Sequence, residues 1–352
     1  MMKKLPIGIA VATLIIGAAG FFLLKTVDAQ DQQSTLSRRQ LAAPACEVSV
    51  AMQNDYSDQD FSKLGVINDV FSMNSGAVLA PAGQSQPYEW KVDKFINSSY
   101  EEIDKVFSSY LATHPQLKQD TNDVLILDIE GPASLYRLIA FDAATQDKII
   151  EGYKLRTKVV RDHFPNARLA LWNTIYTPPD LSIEKYQARL DGYLKAGAQG
   201  AFDDIAYLLP NLYTRLGPDD EGYGGADYME KYARFGIEYS AKITNSQGKH
   251  LPMAPAFSTI VANSGSQHDR EKVNPVDTAR MMQTARQYTD LDTGKVEKLI
   301  VWVGNNENTF GVNLLAFFES LKLRSCDTKT DEPQKPAASL FLFLKKFLVI
   351  EK

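Results

Sequence analysis

Short apolar runs alternate with amphipathic stretches along most of this chain, and this alternation restricts the fold more than any other feature. Seven runs are predicted as strands: 46–52, 66–73, 124–130, 168–173, 200–207, 251–257 and 298–303. Helical spacing predicts helices between and after them: 99–113, 143–163, 182–196, 228–244, 276–288 and 310–323. Strands that alternate with helices form parallel sheets, because each helix returns the chain to the same edge of the sheet.

An open doubly wound sheet and a closed barrel both satisfy this alternation. No glycine-rich phosphate loop follows the first strand, and polar side chains follow several strands rather than one. A bond between Cys46 and Cys326 would also bring the two ends of the domain together, as barrel closure does. The sequence therefore predicts an α/β fold over 46–326, an irregular (β/α) TIM-type barrel of seven or eight parallel strands.

The first 29 residues predict export. Two lysines precede a long apolar run, which is typical of a secretory signal and also just long enough to span a bilayer as an uncleaved anchor. Residues 30–45 are polar and predict a tether. We therefore expect a secreted or periplasmic protein, anchored at its N-terminus if the segment is retained, and in that oxidising setting a Cys46–Cys326 disulfide. Two free thiols are the alternative.

Composition excludes some partners. The chain has 352 residues, 44% of them hydrophobic, and a net charge of −5 without any block of Lys or Arg, which argues against a nucleic-acid partner. Residues 327–352 predict a polar linker and an apolar tail too short to span a membrane, to which we assign no function.

In the stretch VLILDIEGP, residues 124–132, two carboxylates come at the end of a predicted buried strand. Residues two apart in a strand point to the same side, so Asp128 and Glu130 would both face the interior at the carboxyl end of a barrel, where active sites lie. Repulsion between two half-buried acids favours keeping one protonated. Glu130, nearer the mouth, is the candidate general acid and Asp128 its helper. Simple solvated or Arg-paired acids are the alternative.

Aromatic, amide and carboxylate side chains end other predicted strands. Sugar rings stack their C–H faces on aromatic rings, and their hydroxyls need paired donors and acceptors. We therefore predict a sugar-binding rim; the alternatives are core packing for the tryptophans and a solvated strand end for the aspartates. The predicted substrate-binding residues are Trp172, Tyr176, Asp203, Asp204, Tyr207, Trp302 and Asn305.

Other chemistries find no support in the sequence. The four histidines are scattered, and none pairs with another at metal-ligand spacing. The chain contains no GxSxG elbow, and no pattern indicates a Cys–His nucleophile. We therefore expect carboxylate chemistry that uses neither a metal nor another cofactor.

The chain resembles the hyaluronidase family of glycoside hydrolases, which are irregular (β/α) barrels. The resemblance covers about 120–325 and depends on the Asp-x-Glu motif at 128–130, the stretch VWVGNNENT at 301–309, and YLLP at 207–210. Ile129 stands where the family usually has Trp, YLLP has one extra residue, and the second Trp of the last turn is absent. The resemblance therefore implies a glycan containing N-acetylhexosamine rather than hyaluronan in particular.

The resemblance also implies roles for individual residues. Glu130 would act as general acid and then base, while Asp128 would orient the substrate's acetamido group, whose carbonyl oxygen attacks the anomeric carbon. Tyr207 and Trp302 would be the active-site aromatic residues, and Tyr176 is a weaker match. This substrate-assisted scheme needs no nucleophile from the protein.

The sequence thus predicts an exported glycoside hydrolase whose partner is a polysaccharide. Three alternatives stay open. One is a glycan-binding barrel of the cell envelope without catalysis. Another is a metal-dependent hydrolase with Asp128, Glu130, Asp203 and Asp204 as oxygen ligands. The third is a structural envelope protein.

Overall fold

The computed structural model describes residues 48–53, 61–73, 86–172, 183–262, 267–290, 294–303 and 312–321. Several predictions fall outside these residues and stay predictions. They concern the N-terminal segment 1–29, the tether 30–45, the tail 327–352, both cysteines (Cys46 and Cys326), Tyr176 and Asn305.

One parallel sheet organises the described residues. Its strands are β1 Ser49–Gln53, β2 Val66–Met73, β3 Val124–Leu127, β4 Arg168–Leu171, β5 Tyr207–Leu208, β6 Ala256–Ser258 and β7 Lys298–Trp302. They lie in the order β5-β4-β3-β2-β1-β7-β6, and every neighbouring pair is parallel. The predicted α/β class with parallel strands is confirmed.

The two edge strands of this sheet contact each other. Parallel bridges join Leu208 to Met253 and Asn211 to Ala256. The Ala254 amide donates to the carbonyl of Leu208 over 2.8 Å. The sheet therefore curls around until β5 and the chain entering β6 meet, which gives it a barrel-like shape.

Helices lie between and after the strands: α1 Tyr88–Asn97, α2 Tyr100–Thr113, α3 Ala143–His163, α4 Ile183–Ala198, α5 Gly225–Ser240, α6 Pro275–Ala285 and α7 Leu314–Ser320. Short 3-10 helices occur at Ser62–Leu64 and Leu135–Ala140. Local capping explains several starts, as in α2, where Ser99 and Glu102 form a capping box. Among the described residues, no helix is long and apolar enough to cross a membrane.

Side-chain alternation divides the core into two layers. The outer layer packs between strands and helices, and the inner one fills the space enclosed by the sheet. The inner layer consists of Ala51, Val70, Val124, Ile126, Ala170, Tyr207, Leu209, Ala254 and Ile300. Asp128, Trp172 and Trp302 each follow a member of this layer by two residues, so the strand period directs them inward at the carboxyl end of the sheet.

Two predicted strands differ from the observed ones. The stretch 200–207 was expected to be a strand, but residues 201–204 form turns that continue from the end of α4, and β5 is only Tyr207–Leu208. Gly200 has a φ of 86°, a left-handed backbone conformation that favours glycine and does not belong to a strand. In 251–257, Pro252 and Pro255 lack amide donors, and the strand begins only at Ala256.

The opposite, amino-terminal end of the sheet holds an ion network. The Asp69 carboxylate accepts from Lys298 and, over 3.1 Å, from Arg168. Lys298 is buried, with 5% of its side chain exposed, whereas Arg168 is 40% exposed. Burying an ammonium group is costly unless a counter-charge stays beside it. Asp69 therefore makes the burial of Lys298 tolerable.

Replacing Asp69 with Asn should lower the free energy of unfolding by about 2–4 kcal/mol, because Lys298 then stays buried without its counter-charge. Urea denaturation followed by circular dichroism measures this loss. The double variant Asp69→Asn with Lys298→Met should recover most of it. A matched control is Glu151→Gln, which breaks an exposed pair with Lys154 and should change stability little. Equal, small losses in Asp69→Asn and Glu151→Gln would contradict this account.

Candidate active site

The two predicted catalytic carboxylates follow directly after β3. Ile129, between them, points into the outer layer and is 5% exposed, and its carbonyl accepts from the Tyr153 hydroxyl over 3.3 Å. Gly131 ends the extended run with a φ of 95°, a conformation that favours glycine. Asp128 is half-buried and Glu130 is exposed. Because Ile129 points outward, its neighbours Asp128 and Glu130 point toward the interior and the carboxyl end of the sheet.

Asp128 has one oxygen that the fold keeps away from water and from partners among the described residues. Its Oδ1 is buried and has no hydrogen-bond partner in the part of the chain that the structure describes. Burial, and secondarily the charge of Glu130, raise the pKa of Asp128 well above its usual value. Of the two carboxyl groups, Asp128 is therefore the one whose surroundings favour the protonated form, while Glu130 faces solvent.

Glu130 is held by a neighbouring strand end. Trp172 follows β4, and its indole Nε1 donates a hydrogen bond to Glu130 Oε1 over 2.9 Å. The register pairs Leu127 with Leu171, which places the residues that follow these strands at the same height. The sequence predicted Trp172 as a sugar-binding residue; the structure places it against the candidate acid.

A tyrosine that the sequence analysis did not select completes the site. The Tyr213 ring lies between Trp172 and Trp302, with ring centroids 5.4 and 5.6 Å away and interplanar angles of 57° and 27°. Its hydroxyl is buried and has no partner among the described residues. Burial raises the pKa of Tyr213 well above its usual value; Arg215 opposes this, and the charges of Asp128 and Glu130 add to it.

The signal that could have found Tyr213 is the strand period. The chain stays extended past β5, since Leu209 donates to the Leu171 carbonyl over 3.1 Å and Leu212 to the Ala256 carbonyl over 2.8 Å. Tyr207 and Leu209 lie in the inner layer. Counting on by twos reaches Tyr213, beyond the predicted end of the strand.

Tyr207 itself lies deeper. It pairs with Ala170, one pair below the end of β4, and its hydroxyl accepts from the Arg168 guanidinium over 3.5 Å. Arg168 begins β4, so the Tyr207 hydroxyl is directed toward the amino-terminal end of the sheet, away from Asp128. The structure brings Tyr213, and not Tyr207, to the candidate acids.

Asp203 and Asp204 also lie away from this site. Both precede β5, at the amino-terminal end of its strand, and both are exposed. Asp203 accepts from the amide and hydroxyl of Ser246, over 3.0 and 2.7 Å. The expectation that they end a strand was wrong, because the turn after α4 takes up the residues expected to form it.

This placement separates the four carboxylates of the metal-site alternative. Asp128 and Glu130 lie at the carboxyl end of the sheet, whereas Asp203 and Asp204 lie at the other end. Within the described ranges, no group of three or more His, Cys, Asp or Glu side chains could hold a metal ion. The described part of the site is a pair of carboxyl groups beside three aromatic rings in contact, Trp172, Tyr213 and Trp302.

Comparison with solved structures identifies the fold. A monoclinic crystal structure of bee venom hyaluronidase aligns with a TM-score of 0.53 at 12% identity, covering 78% of this chain and 100% of that one. Its complex with a hyaluronic acid tetramer aligns at 0.52 and 13%, covering 78% and 96%. A GH18 chitinase from Pseudoalteromonas aurantia aligns at 0.39 and 11%, covering 72% and 76%. No protein-family model and no curated protein sequence matches this chain. The hyaluronidase structures confirm the predicted resemblance in fold.

Replacing Asp128 with Asn should stabilise the protein at neutral pH. A carboxyl group whose folded pKa is raised contributes stability that is fully present below its unfolded pKa, about 4, and is lost as the pH rises through the folded pKa. Asn has no such loss. The difference in unfolding free energy should be near zero at about pH 3.5 and should grow by up to about 1.4 kcal/mol per pH unit above pH 4.

Urea denaturation of the wild type and of Asp128→Asn at several pH values measures this difference. Asp123→Asn provides the matched control, because Asp123 lies before β3, where the Thr121 hydroxyl donates to it over 2.5 Å. A stability difference for Asp128→Asn that stays constant from pH 3.5 to 8 would rule out a buried, protonated Asp128.

Proposed function

We propose that this protein is a glycoside hydrolase that cleaves an N-acetylhexosamine-containing polysaccharide, with Glu130 as general acid and base and Asp128 as its helper. The observation that carries the proposal is the unequal pair after β3: a half-buried Asp128, whose Oδ1 is buried without a partner in the described structure and whose pKa is raised, beside an exposed Glu130. Environments that separate two carboxyl groups in this way are typical of acid–base catalysis.

Proton movement follows from this inequality. The acetamido N–H of a bound sugar would donate to Asp128 and favour its charged form, so that the shared proton moves to Glu130. Glu130 then gives that proton to the glycosidic oxygen as the C–O bond breaks, and the acetamido carbonyl oxygen bonds to the anomeric carbon. In the second step Glu130 removes a proton from water, whose oxygen displaces the acetamido oxygen from that carbon.

In this scheme the Tyr213 hydroxyl binds the acetamido group of the substrate. This hydroxyl lies near both carboxyl groups and has no partner in the described structure. A buried hydroxyl without a partner costs free energy unless a ligand supplies one. The acetamido carbonyl oxygen is an acceptor of the right kind, and a hydrogen bond from Tyr213 would hold it toward the anomeric carbon.

The fold supports a polysaccharide as the partner, since bee venom hyaluronidase, which shares it, has been crystallised with a hyaluronic acid tetramer. We further propose that the bridges between β5 and the chain entering β6 close the sheet into a seven-stranded (β/α) barrel. Export, with the N-terminal segment as signal or anchor, belongs to the same proposal.

The variant Glu130→Gln should lose at least about 10³-fold in turnover, because the amide can neither give nor take the proton. The measurement incubates purified protein with hyaluronan, chondroitin and soluble chitin fragments and assays new reducing ends. Glu151→Gln, an exposed acid-to-amide change on α3, serves as the control and should retain wild-type turnover.

Three results would contradict the proposal. Full turnover in Glu130→Gln would exclude Glu130 as the acid. Glycan binding by the wild type without new reducing ends on long incubation would favour the non-catalytic glycan-binding barrel. Loss of turnover on adding a chelator would favour metal-dependent hydrolysis.

Removing only the Tyr213 hydroxyl, with Tyr213→Phe, should lower kcat/KM about 10- to 100-fold. The ring should keep its place between Trp172 and Trp302, so thermal stability should stay the same or rise, because an unpartnered buried hydroxyl is lost. Tyr223→Phe is a matched control, since its hydroxyl donates to Asp277 and not to either candidate acid. Equal activity in wild type and Tyr213→Phe would remove Tyr213 from the mechanism.

A further inference from the structure

The contact between Trp172 and Glu130 has a role beyond sugar binding. The indole nitrogen has a single N–H, and that N–H is directed at Glu130 Oε1 over 2.9 Å. The Tyr213 ring also contacts the indole, with ring centroids 5.4 Å apart and the two planes tilted by 57°. The side chain is thus fixed by contacts at its ring and at its nitrogen.

This arrangement gives the two oxygens of Glu130 different duties. Oε1 accepts from Trp172, which leaves Oε2 to face the glycosidic oxygen. A hydrogen bond from an N–H to a carboxylate is stronger than one to a neutral carboxylic acid. The Trp172 bond therefore strengthens as Glu130 gives up its proton and becomes negatively charged.

We propose that Trp172 is a positioning residue for Glu130, holding its carboxyl group in place and stabilising the negative charge that Glu130 acquires when it protonates the leaving group. The inference rests on the proposed glycosidase function. An interaction that is stronger in the transition state than in the ground state raises kcat and has little effect on KM. Trp172 thus contributes to turnover through Glu130, and not by stacking on the sugar.

Two tyrosines also lie near Glu130. Tyr213, beside Arg215, and Tyr193 of α4 are both buried, and burial raises the pKa of each hydroxyl well above its usual value. Below about pH 9 both tyrosines therefore stay neutral. Burial, and secondarily the charge of Glu130, raise the pKa of Asp128. The alkaline limb of a pH–rate profile then reports ionisation of the pair of carboxyl groups.

The first arm of the test is kinetic. On whichever polysaccharide of the panel the wild type cleaves best, Trp172→Phe should lower kcat about 10- to 100-fold with KM within about twofold. The alkaline limb should move to higher pH, because the charged form of the carboxyl pair has lost a donor. Trp172→His, which offers a ring N–H, should recover part of kcat.

Trp302→Phe is the matched control for this arm. Trp302 also stacks on Tyr213, and the described residues give it no hydrogen bond to either carboxyl group. The Trp302→Phe variant should have a raised KM, and the alkaline limb of its pH–rate profile should stay at the wild-type pH. A Trp172→Phe enzyme with raised KM, unchanged kcat and an unmoved limb would overturn the inference and restore the sugar-stacking interpretation.

The second arm needs neither turnover nor a folded Trp172 variant. The chain has three tryptophans, so a ¹⁵N spectrum contains only three indole N–H signals. Trp90→Phe and Trp302→Phe assign two of them and identify the Trp172 signal by elimination. That signal should move in a pH titration of the wild type, because the indole N–H is bonded to a carboxyl oxygen, and should lose this movement in Glu130→Gln.

The two arms separate the inference from the function on which it rests. If the Trp172 indole signal behaves the same in the wild type and in Glu130→Gln, the inference is overturned even in an active enzyme. Absence of hydrolysis in the wild type overturns the proposed function, and the catalytic part of the inference with it, even where the indole signal follows Glu130. A moved limb together with a coupled signal supports both.

Discussion

The two-residue period of parallel strands governs the whole molecule. It fills the space enclosed by the sheet with mostly small or aliphatic side chains, including three alanines, Ala51, Ala170 and Ala254. Because all strands run in the same direction, the period also brings the residues after β3, β4 and β7 to one end. The site therefore needs no special loop to collect its parts: the sheet that forms the core also assembles them.

The carboxylates at the two ends of this sheet have neighbours of opposite charge. At the amino-terminal end, Asp69 lies beside two cations, Arg168 and Lys298. Asp69 and Asp128 each have one buried oxygen without a partner in the described structure, but the charged neighbour of Asp128 is an acid, Glu130, which makes its ionisation harder. The first arrangement compensates its charge and favours stability. The second keeps an acid uncompensated, which costs stability and is expected where a group must change its protonation state.

Much of this could be predicted from the sequence because it depends on local periodicity. The alternation of strands and helices, the bounds of β2 and of the long helix α3, and the Asp-x-Glu motif after β3 all follow from it. The residues missed depend on contacts between distant parts of the chain. Helix α1 buries only Val92 and Phe95, so its own pattern is weak. Tyr213 lies beyond β5, which is only two residues long, and hydrogen bonds to the neighbouring strands keep the chain extended that far.

The contacts among Trp172, Tyr213 and Trp302 also bear on the predicted sugar-binding role of Trp172. A tryptophan at the rim of a barrel can offer its face to a sugar or its N–H to an acceptor, and the sequence cannot distinguish them. In the structure the Trp172 ring contacts Tyr213 and its indole nitrogen is directed at Glu130, and this is the basis for proposing the second role. Trp302 stacks on Tyr213 as well. Rotating Tyr213 out of this stack would disturb both tryptophans, so its hydroxyl is held near the carboxyl pair before any ligand arrives, and the ordering cost of binding is correspondingly smaller.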